Sequence, residues 1–129
     1  MVEEIIILYV EDNRENRLLV RRVLEAEGFK VQEAESAARA LESIGQIVPN
    51  LILMDINMPE IDGYTLTSRL RQNPKIRGVP IIAMTANVMR GDRERTLEAG
   101  CDGYIQKPID VDILGEQLKR FIDEVRYDG

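Results

Sequence analysis

Hydrophobic residues gather in five short runs along the chain, and mostly polar segments separate these runs. The runs extend from Ile5 to Val10, Lys30 to Ala34, Leu51 to Met54, Pro80 to Thr85 and Gly103 to Gln106. Three of them, IIILYV, LILM and IIAM, are nearly continuous instead of alternating with polar residues. Because a strand that is apolar on both sides must be covered on both sides, the pattern is typical of a parallel sheet between helices.

The segments between the runs have helical periodicity. The last segment has its apolar stripe at Leu114, Leu118, Phe121, Ile122 and Val125. The first segment has a comparable stripe at Leu19, Val20, Val23 and Leu24, and we expect it to end at Gly28. Successive strands begin roughly 20 to 30 residues apart, which is the length of a strand plus a crossover helix. The sequence therefore predicts five βα units in a doubly wound α/β fold.

The fourth predicted helix, at about residues 88–99, has the weakest pattern. It has Gly91 in its first turns, few apolar positions and a dense mixture of charges. Weak packing usually means low local stability. From the sequence alone, we expect a solvated surface helix.

The length of 129 residues fits one domain, which we expect to span residues 1–129 with a core at about residues 4–126. No apolar run approaches the ~20 residues that a membrane span needs, so we expect no membrane insertion. Acidic residues near the N-terminus replace the basic start of a signal peptide. These observations predict a cytoplasmic protein.

Composition excludes several classes of site. The chain has no histidine, so it has no serine–histidine triad, no histidine zinc site and no phosphohistidine of its own. Cys101 is the only cysteine, which excludes an internal disulfide, and we expect it to be a small buried residue. The net charge of −6 argues against direct binding of nucleic acid, whereas a protein partner stays open.

Polar residues follow four of the predicted strands, at the edge of the sheet where open α/β folds bind ligands. They are Glu11 and Asp12, then Asp55, then Thr85 beside Ala86, and finally Lys107 beside Pro108. Crowded carboxylates repel each other by ~4 kcal/mol per close pair at an effective dielectric near 20, so they need a proton or a cation. With oxygen ligands alone, Mg²⁺ is the natural candidate, and Lys107 adds a positive charge.

Four motifs occur in order along the chain: VEDN with Glu11 and Asp12, LILMDINMPEIDGY around Asp55, IIAMTAN with Thr85, and CDGYIQKPID with Tyr104 and Lys107. With these motifs the chain resembles the receiver domain of two-component response regulators, in the CheY-like superfamily. The resemblance covers essentially the whole chain and favours the stand-alone, DivK-like type. It implies a flavodoxin-like (βα)5 fold with strand order 2-1-3-4-5.

The resemblance also implies the chemistry of a phosphorelay. Asp55 would be the phosphoacceptor, attacking a phosphohistidine on a sensor histidine kinase or a histidine phosphotransfer protein. Mg²⁺, which Mn²⁺ can replace, would be held by Asp12, Asp55 and the backbone carbonyl of Asn57, with Glu11 acting directly or through water. Lys107 would neutralise charge on the phosphoryl oxygens. Such a domain is not a conventional enzyme, but it catalyses its own aspartate phosphorylation and slow dephosphorylation.

Thr85 and Tyr104 match the switch pair of the family. The resemblance implies that the Thr85 hydroxyl moves to a phosphoryl oxygen and that Tyr104 turns inward. The surface of the fourth helix, fifth strand and fifth helix would then bind a downstream protein target. Candidate contacts there are Val88, Met89 and Arg90. Pro108 resembles the proline that follows a cis peptide in this family.

Four other interpretations bear on the same residues. An aspartate-nucleophile phosphatase of the haloacid-dehalogenase type needs a second aspartate where the chain has Asn57. A flavodoxin-like nucleotide-binding module needs glycines after the first strand, where EDNREN would repel a phosphate. The complete site argues against a docking module that is never phosphorylated. A receiver domain cut from a hybrid histidine kinase or multidomain regulator stays open, although Met1 favours a natural start.

Overall fold

Five parallel strands form one sheet in the computed structural model, which describes residues 4–56, 63–86, 94 and 97–128. The strands are β1 (Ile6–Val10), β2 (Lys30–Ala34), β3 (Leu51–Asp55), β4 (Ile81–Thr85) and β5 (Gly103–Gln106). They pair in the order β2-β1-β3-β4-β5. The five hydrophobic runs therefore predicted the strands to within a residue at each end, and the implied strand order is confirmed.

Among the described residues, four long helices connect and cover the strands. They are α1 (Arg14–Ala26), α2 (Ala37–Gln46), α3 (Gly63–Arg71) and α4 (Leu114–Asp128), and a short 3-10 helix spans Pro74–Ile76. The side chains of Asn13 and Ser36 accept hydrogen bonds from backbone amides one turn into α1 and α2, so both helices begin at a polar cap. Gly28, with φ of 93°, follows the end of α1 as predicted.

The predicted fourth helix is described only in part. Glu94, Leu97 and Glu98 have helical backbone, and residues 88–93, 95 and 96 lie outside the described residues. The helix numbered fifth in the sequence prediction is therefore α4 here. No helix among the described residues is long and apolar enough to cross a membrane.

Two hydrophobic clusters cover the two faces of the sheet. Ile7 and Tyr9 of β1 pack on the side of α1 and α4, and Leu8 and Val10 pack on the side of α2 and α3. Every residue of β3 and β4 is buried, as expected for strands covered on both faces. Cys101 is buried on the side of α2 and α3, and burial raises the pKa of its thiol to about 11.

One residue of the apolar stripe predicted for α1 is exposed to solvent and not buried. Val20 and Leu24 are buried, but Leu19 is 53% exposed. Helical geometry separates adjacent residues by 100°, so a helix that buries the row of Val20 and Leu24 turns Leu19 toward the rim of the contact. Leu19 therefore belongs to the surface beside the sheet edge described below.

Arg71, at the end of α3, fastens the segments that precede β4 and β5. Its guanidinium donates to the backbone carbonyls of Gly100 at 2.8 Å, Ile76 at 2.9 Å and Val79 at 2.7 Å. It also pairs with Asp102, whose carboxylate accepts the amide of Ile81 at 2.9 Å. These bonds fix the amino-terminal ends of two strands to one helix.

Candidate functional site

The polar residues singled out in the sequence converge at the carboxyl edge of the sheet. Asp55 is the last residue of β3 and Thr85 is the last residue of β4. Glu11 and Asp12 directly follow β1, and Lys107 directly follows β5. Because the strands are parallel, all of these residues lie at one edge, which is where such folds bind ligands.

Backbone hydrogen bonds extend the sheet one residue beyond three of these strands. They run from the amide of Glu11 to Ala34 at 2.9 Å, from Ile56 to Met84 at 3.0 Å, and from Lys107 to Thr85 at 2.8 Å. Each bond ties a site-bearing segment to the end of a neighbouring strand. The side chains therefore leave the sheet from fixed backbone and not from loose loops.

Three carboxylates form a cluster at this edge. Glu11, Asp12 and Asp55 each offer an oxygen, and these oxygens all lie within 4.8 Å of one another. Glu11 and Asp55 are buried, with 1% and 4% exposure, and Asp12 is exposed. An all-oxygen donor set with one side open to water suits a hard divalent cation that keeps part of its hydration shell.

The Glu11 carboxylate has its own set of donors. Its Oε1 accepts from the side-chain amide of Asn16 at 3.1 Å and from the Tyr9 hydroxyl at 3.4 Å. Its Oε2 accepts from the backbone amide of Asn13 at 3.4 Å. Burial, together with the hydrogen bond to Asp55 and the charge of that residue, raises the pKa of Glu11 to about 7. Burial also raises the pKa of Tyr9, so Tyr9 stays a hydrogen-bond donor.

Lys107 brings a positive charge to the buried acid. Its Nζ donates to Oδ1 of Asp55 at 2.7 Å, although the two residues are 52 positions apart in the chain. The side chain of Lys107 is 25% exposed, so its ammonium group lies between the buried Asp55 and solvent. The peptide between Lys107 and Pro108 is cis.

Thr85 and Tyr104 lie on one face of the sheet. Thr85 is 4% exposed and pairs in register with Gln106, while Ala83 pairs with Tyr104. Residues two apart in a strand share a face, so Tyr104 lies one pleat away from Thr85 on the side of α2 and α3. The other residues predicted for the site and the partner surface, Asn57, Val88, Met89 and Arg90, lie outside the described residues.

A cleft of about 270 Å³ adjoins the acids between α1 and the segment after β5. Glu11, Asn16 and Lys107 are its polar lining, and Leu19 and Ile109 are among its apolar lining. Because Leu19 is half exposed, the cleft opens to solvent. The site is therefore accessible from the side of α1.

Three residues that contact the acids were missed in the sequence. Tyr9 and Asn16 bind the side chain of Glu11, and Arg17 donates to the backbone carbonyls of Glu11 and Asp12. The helix cap at Asn13 was the available signal. A helix that begins there turns residues three and four positions later back toward the strand end.

The chain is similar to a known protein family over most of its length. The family model of the response regulator receiver domain matches residues 7–119. The polar-differentiation response regulator DivK of Brucella ovis is 39% identical over 118 residues, which cover 92% of this chain and 96% of that protein.

Solved structures have the same fold. The receiver domain of the sensor histidine kinase PA1611 from Pseudomonas aeruginosa, solved with a magnesium ion coordinated in its active site cleft, is 37% identical with a TM-score of 0.84. The match covers 94% of this chain and 99% of that one. A CheY-like receiver domain protein from Methanospirillum hungatei is 30% identical with a TM-score of 0.88, over 98% of this chain and 100% of that one.

Proposed function

The chain belongs to the response regulator receiver domain family of two-component signalling, and from this premise we propose that Asp55 accepts a phosphoryl group from a phosphohistidine. The observation that carries the proposal is the buried Asp55 carboxylate, bonded to Lys107 at 2.7 Å and clustered with Glu11 and Asp12. The donor histidine lies outside these 129 residues, because they contain no histidine. We assign the donor to a sensor histidine kinase or a histidine phosphotransfer protein.

In the proposed reaction, a carboxylate oxygen of Asp55 attacks the phosphorus atom in line with the donor imidazole. The new O–P bond forms as the P–N bond breaks, and the imidazole nitrogen keeps the bonding electron pair. The Lys107 ammonium already contacts the nucleophile and lies where it can stabilise charge on the phosphoryl oxygens. In this proposal Lys107 pairs with Asp55 before the reaction and stabilises the phosphoryl oxygens during it.

The acidic cluster supports a bound divalent cation, which we propose to be Mg²⁺, replaceable by Mn²⁺. Glu11, Asp12 and Asp55 each offer a carboxylate oxygen, and the three oxygens lie within 4.8 Å of one another. Mg²⁺ is usually bound by a few such carboxylates together with water and phosphate oxygens. When bound, the cation neutralises negative charge on the acids and on the transferring group. The backbone carbonyl of Asn57, a further proposed ligand, lies outside the described residues.

We assign the conformational response to Thr85 and Tyr104. Thr85 ends β4, the strand that pairs with β3 and Asp55, and Tyr104 lies one pleat away on the same face. A phosphoryl group on Asp55 that attracts the Thr85 hydroxyl would alter the space available to Tyr104. The proposed output surface for a downstream protein target comprises the predicted fourth helix, β5 and α4.

Two organisations of the protein are compatible with this function. The match to DivK, which covers 96% of that regulator, favours a stand-alone regulator. The 37% identity to the receiver domain of a sensor histidine kinase favours a hybrid kinase as the second candidate. A cytoplasmic location stays a prediction from the sequence in both.

Acetyl phosphate in the presence of Mg²⁺ tests the phosphoacceptor. We expect intact-mass analysis to show one added phosphoryl group on the natural chain and on Asp123→Asn, a control at an exposed position of α4. We expect none on Asp55→Asn, and none on the natural chain when a chelator removes the cation. Equal labelling of Asp55→Asn, or labelling that survives the chelator undiminished, would refute the assignment.

A further inference from the structure

We propose that Arg17 is a positioning residue that holds the acidic pair in the geometry for cation binding, an inference that rests on the proposed function. One nitrogen of its guanidinium, Nη1, donates to two successive backbone carbonyls, those of Glu11 at 2.8 Å and Asp12 at 2.9 Å. Arg17 touches neither carboxylate in these two bonds. It therefore acts on the backbone that carries the acids.

Arg17 is itself held in place. It begins the second turn of α1, where its amide donates to Asn13 at 3.0 Å. Its side chain is only 13% exposed, and its Nε lies 3.7 Å from a carboxylate oxygen of Glu33 on β2. The guanidinium thus joins the first helix to the end of β1, with an anchor on the neighbouring strand.

The backbone between β1 and α1 needs such a clamp because of the charges it carries. Three carboxylate oxygens within 4.8 Å repel one another, and Asp12 is exposed and thus able to turn away into water. Bonds to both carbonyls restrict the peptide planes on either side of Asp12. A cation then meets carboxylates that are already oriented, and does not have to order them.

The direction in which Mg²⁺ affinity changes when Arg17 is replaced separates a positioning role from a purely electrostatic one. Arg17 is a cation close to a cation site, so its charge by itself opposes the binding of Mg²⁺. Removing that charge alone would tighten Mg²⁺ binding. If Arg17 positions the acids, its removal weakens Mg²⁺ binding despite the loss of repulsion.

Calorimetric titration of the purified chain with Mg²⁺ tests the proposal without phosphorylation. We expect Arg17→Gln to weaken Mg²⁺ binding about 10-fold, the scale found for residues that orient metal ligands. Arg22→Gln removes the same charge from an exposed position of α1 and should bind Mg²⁺ as tightly as the natural chain or slightly more tightly. Arg17→Gln with unchanged or tighter binding overturns the clamp alone, whereas no binding by the natural chain overturns the cation site and the clamp together.

If Arg17→Gln shows no cooperative unfolding transition in urea, Arg17→Lys replaces it in the Mg²⁺ titration. Lysine keeps the charge, but its single ammonium lacks the planar fork that keeps guanidinium bonds in one geometry. We expect Arg17→Lys to fold and to bind Mg²⁺ several-fold more weakly than the natural chain. Natural affinity in Arg17→Lys would overturn the proposal.

Discussion

The ammonium nitrogen of Lys107 lies 2.7 Å from Oδ1 of Asp55, so a residue from the end of β5 directly contacts the carboxylate at the end of β3. These strands are not neighbours, since β4 lies between them. The contact therefore crosses one strand at the carboxyl edge. It links the proposed nucleophile to the residue proposed to stabilise its reaction.

Replacing Lys107 should slow phosphorylation much more than it alters folding. We expect Lys107→Ala to lower the rate of Asp55 labelling by acetyl phosphate by about 10²–10³-fold, the usual effect of losing a preorganised donor at a developing charge. Time-resolved intact-mass analysis measures this rate. Lys75→Ala, at an exposed residue of the 3-10 helix, should label at the natural rate, and similar rates for both variants would contradict the role of Lys107.

The raised pKa of Glu11 makes stability depend on pH. This pKa is about 7 in the folded chain and 4.5 in a model peptide, so the folded chain binds the proton more tightly. Stability therefore falls as pH rises through the window from about 4.5 to about 7. Glu11→Gln escapes this loss and should exceed the natural chain by about 1–3 kcal/mol at pH 8, with little difference at pH 4.

Urea unfolding at both pH values measures this difference. Saturating Mg²⁺ should reduce the advantage of Glu11→Gln at pH 8, because a bound cation removes the penalty on the natural carboxylate. Glu124→Gln, at an exposed position of α4, should show no such pH window. An equal advantage for Glu11→Gln at pH 4 and pH 8 would show that the effect is not due to ionisation.

A side chain at Gly63 should be unfavourable, because Gly63 is the first residue of α3 and lies against the backbone that follows Asp55. A Cβ there would lie 2.9 Å from the Cα of Ile56 and 3.3 Å from its carbonyl oxygen. We expect Gly63→Ala to lose about 1–3 kcal/mol and to label more slowly, since relief of the clash moves the segment beside Asp55. Gly45→Ala, with no atom within 4 Å of the added Cβ, should gain up to about 1 kcal/mol in helix α2.

Chemical denaturation of the two glycine variants, with labelling rates measured beside it, provides the comparison. Equal stability of the two variants would mean that Ile56 moves aside without cost.

Arg71 should affect stability without affecting chemistry. We expect Arg71→Ala to lose about 2–3 kcal/mol, because its bonds from a charged group to three carbonyls are lost. These bonds lie at the amino-terminal ends of β4 and β5, opposite the site, so folded Arg71→Ala should label at the natural rate. Arg69→Ala, at an exposed position of the same helix, should change the free energy of unfolding in urea little. An equal loss of stability in Arg69→Ala would show that the effect does not come from the hydrogen bonds of Arg71.

Thr85 should couple phosphorylation to Tyr104. With beryllofluoride and Mg²⁺ as a phosphate mimic, we expect large NMR shift changes at Tyr104 in the natural chain and in Thr85→Ser, which keeps the hydroxyl. In Thr85→Ala these changes should be strongly reduced, because no hydroxyl remains to reach the phosphate mimic. Full changes at Tyr104 in Thr85→Ala would exclude this route of coupling.

The sequence by itself determined the strands, the fold class and the edge at which the chemistry gathers. Continuous apolar runs identify buried strands because a strand flanked by helices has no solvated face, and a residue that follows such a run must lie at the carboxyl edge. The positions of Asp55, Thr85 and Lys107 at this edge follow from the sequence alone. The motif resemblance added the strand order and the proposed roles.

Only the tertiary structure decided which groups meet and how they are held. The contact between Lys107 and Asp55 depends on where β5 pairs within the sheet. The donors around Glu11 and the bonds from Arg17 to two carbonyls depend on how α1 packs against the sheet. The pattern in the sequence also failed to predict that Leu19 is exposed. Periodicity records which face of an element is apolar, whereas distances between side chains arise from packing between elements that are remote in the chain.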